Sequence, residues 1–291
     1  VVPYPAGGGT DFFARTVGAQ LSLQLGQQVV VENRPGAATI IGAESVAKSP
    51  ADGYTVLLGD TATFSVNPTL YRKLPYDAQK DFAPISLTGR FALLLVVNPA
   101  KMAAGTVIEL IEEAKKAPGK IDYASPGPGS PHHLAMELFK QSTGTQFTHV
   151  PYKGAAPAVQ DLLSGQIPLM FLDLAAGAPQ LKAGKLKALA VASDKRIVAL
   201  PDLPTVSESG IAGFEAWAWQ ALAVPAGTPR DIVIRLNAEF RKAILMPELR
   251  QKLVDAGIEP LQSTPEDAGA YMRSEAAKWA KVISDGKISV E

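Results

Sequence analysis

The sequence predicts an α/β protein of two lobes, and three observations carry that prediction. Apolar runs such as YTVLLG (54–59), FALLLVV (91–97) and PLMFLD (168–173) alternate with stretches of helical length, the pattern of buried strands between helices. The alternation restarts after Asn98-Pro99. At 291 residues the chain also exceeds the roughly 100–200 residues usual for one domain.

Taken in order, the first lobe should hold a strand over Val29 to Glu32, a helix over Thr39 to Lys48, a strand over Tyr54 to Gly59 and a strand over Phe91 to Val97. The second repeats the theme with a helix from Thr106 to Ala117, a strand in IDYAS, a helix from Ser130, a strand in FTHV, a helix from Ala155 to Ser164, and strands in PLMFLD and KALAVA. A linker-like DLPTVSESGIAG then precedes the strand AWQALAVP (218–225), and the tail from Thr228 reads as almost wholly helical. The last helix carries its own start signal: Thr264 as N-cap, Pro265 in the first position, and Glu266 and Asp267 in the first turn. A helical tail needs a sheet to cover, so the economical layout returns the chain to the first lobe. That gives residues 1–98 with 224–291 as one lobe and 99–223 as the other, with crossovers near 97–99 and 221–225 and a ligand cleft between lobes.

Composition narrows the function. Apolar residues make up 47% and charged residues 19%, the balance of a folded protein with a substantial core, and no run reaches the ~18 apolar residues of a membrane span. Basic and acidic residues number 28 each, so there is no electrostatic footprint for nucleic acid. With no cysteine, disulfides, thiolate catalysis and cysteine-bound zinc are excluded. Val1 already reads as strand, with no charged or apolar leader ahead of it, so a signal peptide is expected to be missing from this chain.

Two glycine loops carry the chemistry. VPYPAGGGTD (2–11) places three consecutive glycines between a strand end and an apolar helix. It lacks the G-x-x-x-x-G-K-[ST] pattern, and no lysine precedes Lys48, so it is not a phosphate loop. A dinucleotide fingerprint fits Gly7, Gly9 and an acid at Glu32, but Phe12 stands where the third glycine belongs. YASPGPGSPHH (123–133) repeats the device, with Ser130 as N-cap and Pro131 at the first helical position. Two helix N-termini at strand carboxyl ends would aim unpaired backbone N–H groups at one small anion, a carboxylate, without a lysine or arginine.

These blocks, together with VVVENRPGAATIIGAESVAKSPADGYTVLLG, NPTLYRKLPYDAQKDFAPI, VPYKGAAPAVQDLLSGQI and LPTVSESGIAGFEAWAW, resemble the tripartite tricarboxylate transporter solute receptors, the Bug family, essentially end to end. The resemblance implies a two-lobed, type II periplasmic binding protein that closes on a small organic acid and delivers it to membrane subunits of a transporter. It implies a periplasmic monomer without enzymatic activity, cofactor or metal. Carried over by position, Tyr4, Ala6, Gly7, Gly8 and Asp11 belong to the first ligand loop, and Gly127, Gly129, Ser130 and His133 to the second. Thr61 and Thr63 fall on a third loop, and Asp173 matches an acid that meets the ligand amino group in amino-acid-binding members. DTATFSVNP departs from the family's small polar residues and histidine before Asn-Pro, having Asp60 and Phe64.

Other readings of the same residues stand beside this one. Asp11 serves equally as an acid facing its own helix dipole. Ser130, His133 and Asp173 could be arranged as a hydrolase, though Ser130 is better explained as a cap. A nucleotide-dependent, Rossmann-like α/β enzyme is the alternative function. Among the three histidines, adjacent His132 and His133 point apart on a helix and lack an acidic cluster for a metal. Trp217 and Trp219 alternate on one strand and are expected in the core.

Overall fold

The computed structural model describes residues 1–290 and contains ten α-helices and eight strands among them. In chain order they begin with α1 (Gly9–Leu25), α2 (Ile40–Ala47), β1 (Leu57–Asp60), a π-helical turn (Ala62–Val66) running into α3 (Asn67–Leu70), and the long β2 (Phe82–Val97). There follow α4 (Val107–Lys116), β3 (Asp122–Ser125), α5 (Pro131–Thr143), β4 (Thr148–Pro151), α6 (Ala155–Ser164), β5 (Leu169–Asp173), α7 (Leu174–Lys182) and β6 (Lys187–Val191). The chain ends with β7 (Trp217–Pro225), α8 (Arg230–Ile244), α9 (Pro247–Asp255), β8 (Ile258–Pro260) and α10 (Pro265–Asp285).

Two compact units result, one built mainly from Val1–Arg90 with Trp219–Ile283, the other from Phe91–Ala218. The chain leaves the first unit inside β2, between Arg90 and Phe91, and re-enters it inside β7, between Ala218 and Trp219. Both passages lie a few residues before the positions 97–99 and 221–225 read from the sequence, because each strand serves both units and neither ends where the unit does.

In the first unit β1 pairs antiparallel with β7, Leu57 opposite Ala223 and Asp60 opposite Gln220. Ala43, Val46, Leu57, Phe64, Phe82, Trp219, Ala221 and Met272 form its apolar core. Trp219 stacks on Phe64 at 6.2 Å and donates its indole N–H to Glu275 on α10. Thr264 caps α10 by accepting from the Asp267 N–H at 3.0 Å, as its sequence signature requires. The expected strand over Val29–Glu32 does not form. Only Asn33 bridges to Val2, since the segment has no neighbouring strand with which to build a ladder.

In the second unit the sheet order is β6-β2-β5-β3-β4, with β3 parallel to both β4 and β5, and β2 antiparallel to β5 and β6. Leu94, Val96, Ala124, Ala158, Leu162, Met170, Leu172, Val191 and Trp217 fill the core beneath it. The two tryptophans of β7 are both core residues, as expected, but of different cores. Because β3, β4 and β5 run the same way and each is followed by a helix, α5, α6 and α7 all begin at one edge of the sheet. That is the edge at which open α/β sheets take ligands.

Candidate functional site

In the first unit the loop between Val2 and α1 is shaped by a carboxylate clasp. Asp11 is buried, and its Oδ2 accepts the Gly7 N–H at 2.9 Å and the Arg15 Nε at 3.0 Å. Its Oδ1 accepts from Asn33 Nδ2 at 2.9 Å, and the same amide nitrogen donates to the Tyr4 carbonyl at 3.0 Å. The Arg15 guanidinium beside it, together with the Gly7 N–H, holds the Asp11 carboxyl down at about 2. Asp11 therefore fastens both ends of the loop. Gly7 needs its φ of +90° to make the turn, while Gly8, the N-cap of α1, has φ −85° and an ordinary extended conformation.

The outcome is an exposed, uncapped helix start. No side chain caps α1, and the first intrahelical bond runs from Phe12 N–H to the Gly8 carbonyl. The N–H groups of Gly8, Gly9 and Thr10 thus have no protein partner among the described residues. Ala6, Gly7, Gly8 and Gly9 are exposed, and a Cβ built on Gly7 or Gly8 would meet nothing within 4 Å.

Tyr4 donates its hydroxyl to Asp60 Oδ2 at the end of β1. Burial pushes the Asp60 carboxyl up, opposed by this bond and by those from Thr63. Thr61 and Thr63 lie at the π-helical turn and not on a loop, because Asp60 accepts from both the backbone and the hydroxyl of Thr63 and starts a helical turn. Both threonines are fully enclosed: Thr61 Oγ1 accepts the Trp219 N–H, and Thr63 Oγ1 meets Thr39 and Asp60. Their geometry is that of supports for β1 and β7. Gln220, buried on β7, donates to Thr10 Oγ1 and leaves its Oε1 without a partner among the described residues. It escaped the sequence reading, although one amide inside AWQALAVP is a visible signal.

The second unit's glycine loop is built differently. Ser130 caps α5, accepting the His133 N–H at 3.3 Å and donating to the Gly127 carbonyl at 2.8 Å. Gly127 N–H donates to Ser125 Oγ, Ser130 N–H to the Gly127 carbonyl, and Gly129 N–H to His133 Nδ1 at 3.1 Å. The expectation of unpaired donors here is corrected: this loop consumes the N–H groups of Gly127, Gly129 and Ser130 internally, because its tight turns, with φ +143° at Gly127 and +74° at Gly129, fold the donors back.

His133 is accordingly an internal support. Its ring stacks at 4.0 Å on His149, which stacks at 4.9 Å on Tyr123. Burial drives both imidazoles toward the neutral form, His133 to about 3 and His149 to about 4, with Lys140 adding to the effect. Tyr123 donates to Glu137, which Lys140 neutralises at 2.7 Å. At the neighbouring strand end Asp173, the N-cap of α7, makes no cap bond and instead meets His132 Nε2 at 2.9 Å. The hydrolase arrangement fails on this geometry: Ser130 is engaged as a cap, and His133 and Asp173 face different partners. No group of three His, Asp or Glu suited to a metal occurs among the described residues. Glu32, the acid of the dinucleotide reading, pairs with Arg34 at 2.7 Å in a segment that is not a strand.

Two α/β units linked by two passages of chain make the two-lobed, type II periplasmic binding protein fold. The comparisons carry this to a family. Residues 13–288 match the Tripartite tricarboxylate transporter family receptor, and the chain belongs to that family. It is 37% identical to Protein BugT of Bordetella pertussis over 286 residues, covering 98% of this chain and 87% of that one. The structure of R. palustris Rpa4515 with adipate superposes with a TM-score of 0.89 at 38% identity, covering 99% of this chain and 96% of that chain. MatC (Rpa3494) from Rhodopseudomonas palustris, with bound malate, gives 0.81 at 32% identity and 97% coverage of each. The family is one of receptors, so the chain binds a solute and is not an enzyme. No helix among the described residues is long and apolar enough to cross a membrane.

Proposed function

We propose that this receptor works in the periplasm as a monomer, captures a small carboxylate and hands it to the membrane subunits of a tripartite transporter. The observation that carries the reading is the uncapped start of α1, where the N–H groups of Gly8, Gly9 and Thr10 have no protein partner among the described residues and a Cβ on Gly7 or Gly8 would meet nothing within 4 Å. A carboxylate suits three unpaired donors at the positive end of a 17-residue helix. Tyr4 and Ala6 flank those donors, and Asp11 sets the loop that presents them.

In the second unit the N–H groups of Gly127, Gly129 and Ser130 are already engaged, so this loop and Asp173 would reach the ligand through ordered water. Binding of adipate by Rpa4515 and of malate by MatC supports a dicarboxylate as the ligand class. A thermal-shift screen of mono- and dicarboxylates, hydroxy acids, amino acids and NAD tests this, since a ligand that binds only the folded state raises its stability with concentration. Stabilisation by at least one dicarboxylate and none by NAD is expected. A response to NAD alone would replace the proposal with a nucleotide-binding one.

A further inference from the structure

Gln220 and Thr10 join β7 to the start of α1 inside the first unit. Gln220 lies at the end of the β1–β7 ladder, opposite Asp60, and is the second residue of this unit after the chain re-enters it on β7. It is 3% exposed, and its Nε2 donates to Thr10 Oγ1 in the first turn of α1. Its Oε1 is enclosed and has no partner among the described residues, so the amide acts on a ligand only through Thr10. Thr10 itself is only partly buried. A hydroxyl carries one proton and two lone pairs. With a lone pair taken by the amide, the Thr10 proton is turned away from Gln220, and no group among the described residues accepts it. That proton belongs to the same helical turn as the unpaired N–H groups of Gly8, Gly9 and Thr10.

We propose that Thr10 is a ligand contact, its hydroxyl donating to the carboxylate held at the start of α1, and that Gln220 is the positioning residue that fixes the direction of that bond. The inference rests on the carboxylate-receptor reading and deepens it. A free hydroxyl turns among its staggered positions and can present lone pairs to an anion as readily as its proton. The amide removes that choice, because the side of the hydroxyl facing Gln220 must accept. Burying an amide whose oxygen is left unmatched costs stability that an apolar residue at 220 would avoid. What the arrangement gains is a hydroxyl preset as a donor beside the backbone donors of α1.

Calorimetry with adipate and malate as probes tests this in wild type, Thr10→Val, Thr10→Ser, Gln220→Leu and the double variant Thr10→Val with Gln220→Leu, and unliganded melting of each shows that it is folded. Thr10→Val, which keeps the shape and loses the hydroxyl, should weaken the better-bound probe about tenfold or more, the scale of one charged hydrogen bond. Thr10→Ser keeps the hydroxyl and should retain most of the affinity. Gln220→Leu frees the hydroxyl among its staggered positions and should cost about threefold. In the double variant that cost should vanish, since no hydroxyl remains to be positioned, whereas an amide that merely supported β7 would cost the same with or without it. Unchanged affinity in Thr10→Val, a Thr10→Ser no better than Thr10→Val, or an equal cost of Gln220→Leu in both backgrounds overturns the assignment. If wild type binds neither probe, the carboxylate reading itself fails before any variant is compared.

Discussion

Gly8 and Asp11 sit three residues apart at the start of α1 and do opposite work. Gly8 is glycine for the sake of space, since its φ of −85° suits any residue and a Cβ there would touch nothing. Gly8→Asp should therefore leave the unliganded melting temperature nearly unchanged while adding bulk and like charge where the ligand acid is proposed to lie. A loss of affinity of about a hundredfold, or 2–3 kcal/mol, is expected by calorimetry, and retained affinity would remove the α1 start from the site. Gly129→Asp is a poorer probe, because its φ of +74° strains any side chain and its N–H already supports His133. Asp11→Ala should act on stability first. It strands the Gly7 N–H, Arg15 and Asn33 together, at a cost of about 1–3 kcal/mol, read from urea unfolding. A stability equal to wild type would show that the clasp is dispensable.

The loop from Ser125 to Ser130 is held from beneath by the stack of Tyr123, His149 and His133, which faces Glu137 and Lys140 on α5. Ser125 adds a 2.7 Å contact to His149, and Gly129 donates to His133. Both imidazoles stay neutral in the folded protein down to about 4 for His149 and about 3 for His133, whereas in the unfolded chain they take protons near 6.5. Between these values the unfolded state binds more protons, so stability rises with pH and is lost on acidification from about 6.5 toward 3. Asp11, held at about 2, extends the loss, since its contribution is present above its unfolded value of 3.8 and disappears as pH falls to about 2. Urea titrations from pH 7 to 3 should show this slope, and His149→Gln should flatten its upper part. An identical slope in that variant would locate the titrating group elsewhere.

At the scale of the whole molecule, two strands carry the chain between units, at Arg90/Phe91 and Ala218/Trp219. If the ligand groups proposed on both units meet one ligand, the receptor closes on binding about such passages. Small-angle scattering with saturating dicarboxylate should give a smaller radius of gyration than without it, and superimposable curves would rule closure out. The donors proposed at α1 are backbone dipoles and act over short range, so affinity should change only modestly from low to high ionic strength. A fall by orders of magnitude would reveal a lysine or arginine clamp.

Much of this architecture could be read from the sequence because the signals involved are local. Apolar runs between helical stretches follow from burial on both faces of a sheet, and Ser130 and Thr264 announce their helices because a cap acts within three residues. The triple glycine marked the α1 start for the same reason. What the sequence could not show depends on neighbours distant along the chain. Val29–Glu32 has strand composition but no ladder partner among the described residues, Thr61 became a support because β7 passes 158 residues later with its Trp219 N–H, and Thr63 because Thr39, 24 residues earlier, reaches its hydroxyl. Whether a glycine loop offers its N–H groups or consumes them turned on His133 rotating back to Gly129. The pairing of His132 with Asp173, 41 residues apart, needed the parallel register of β3 and β5. Sequence determined the elements and the glycine starts, since these obey short-range propensity. Tertiary structure alone decided which donors stay free and which acid is already partnered, since hydrogen bonds are satisfied by whatever the fold brings within 3 Å.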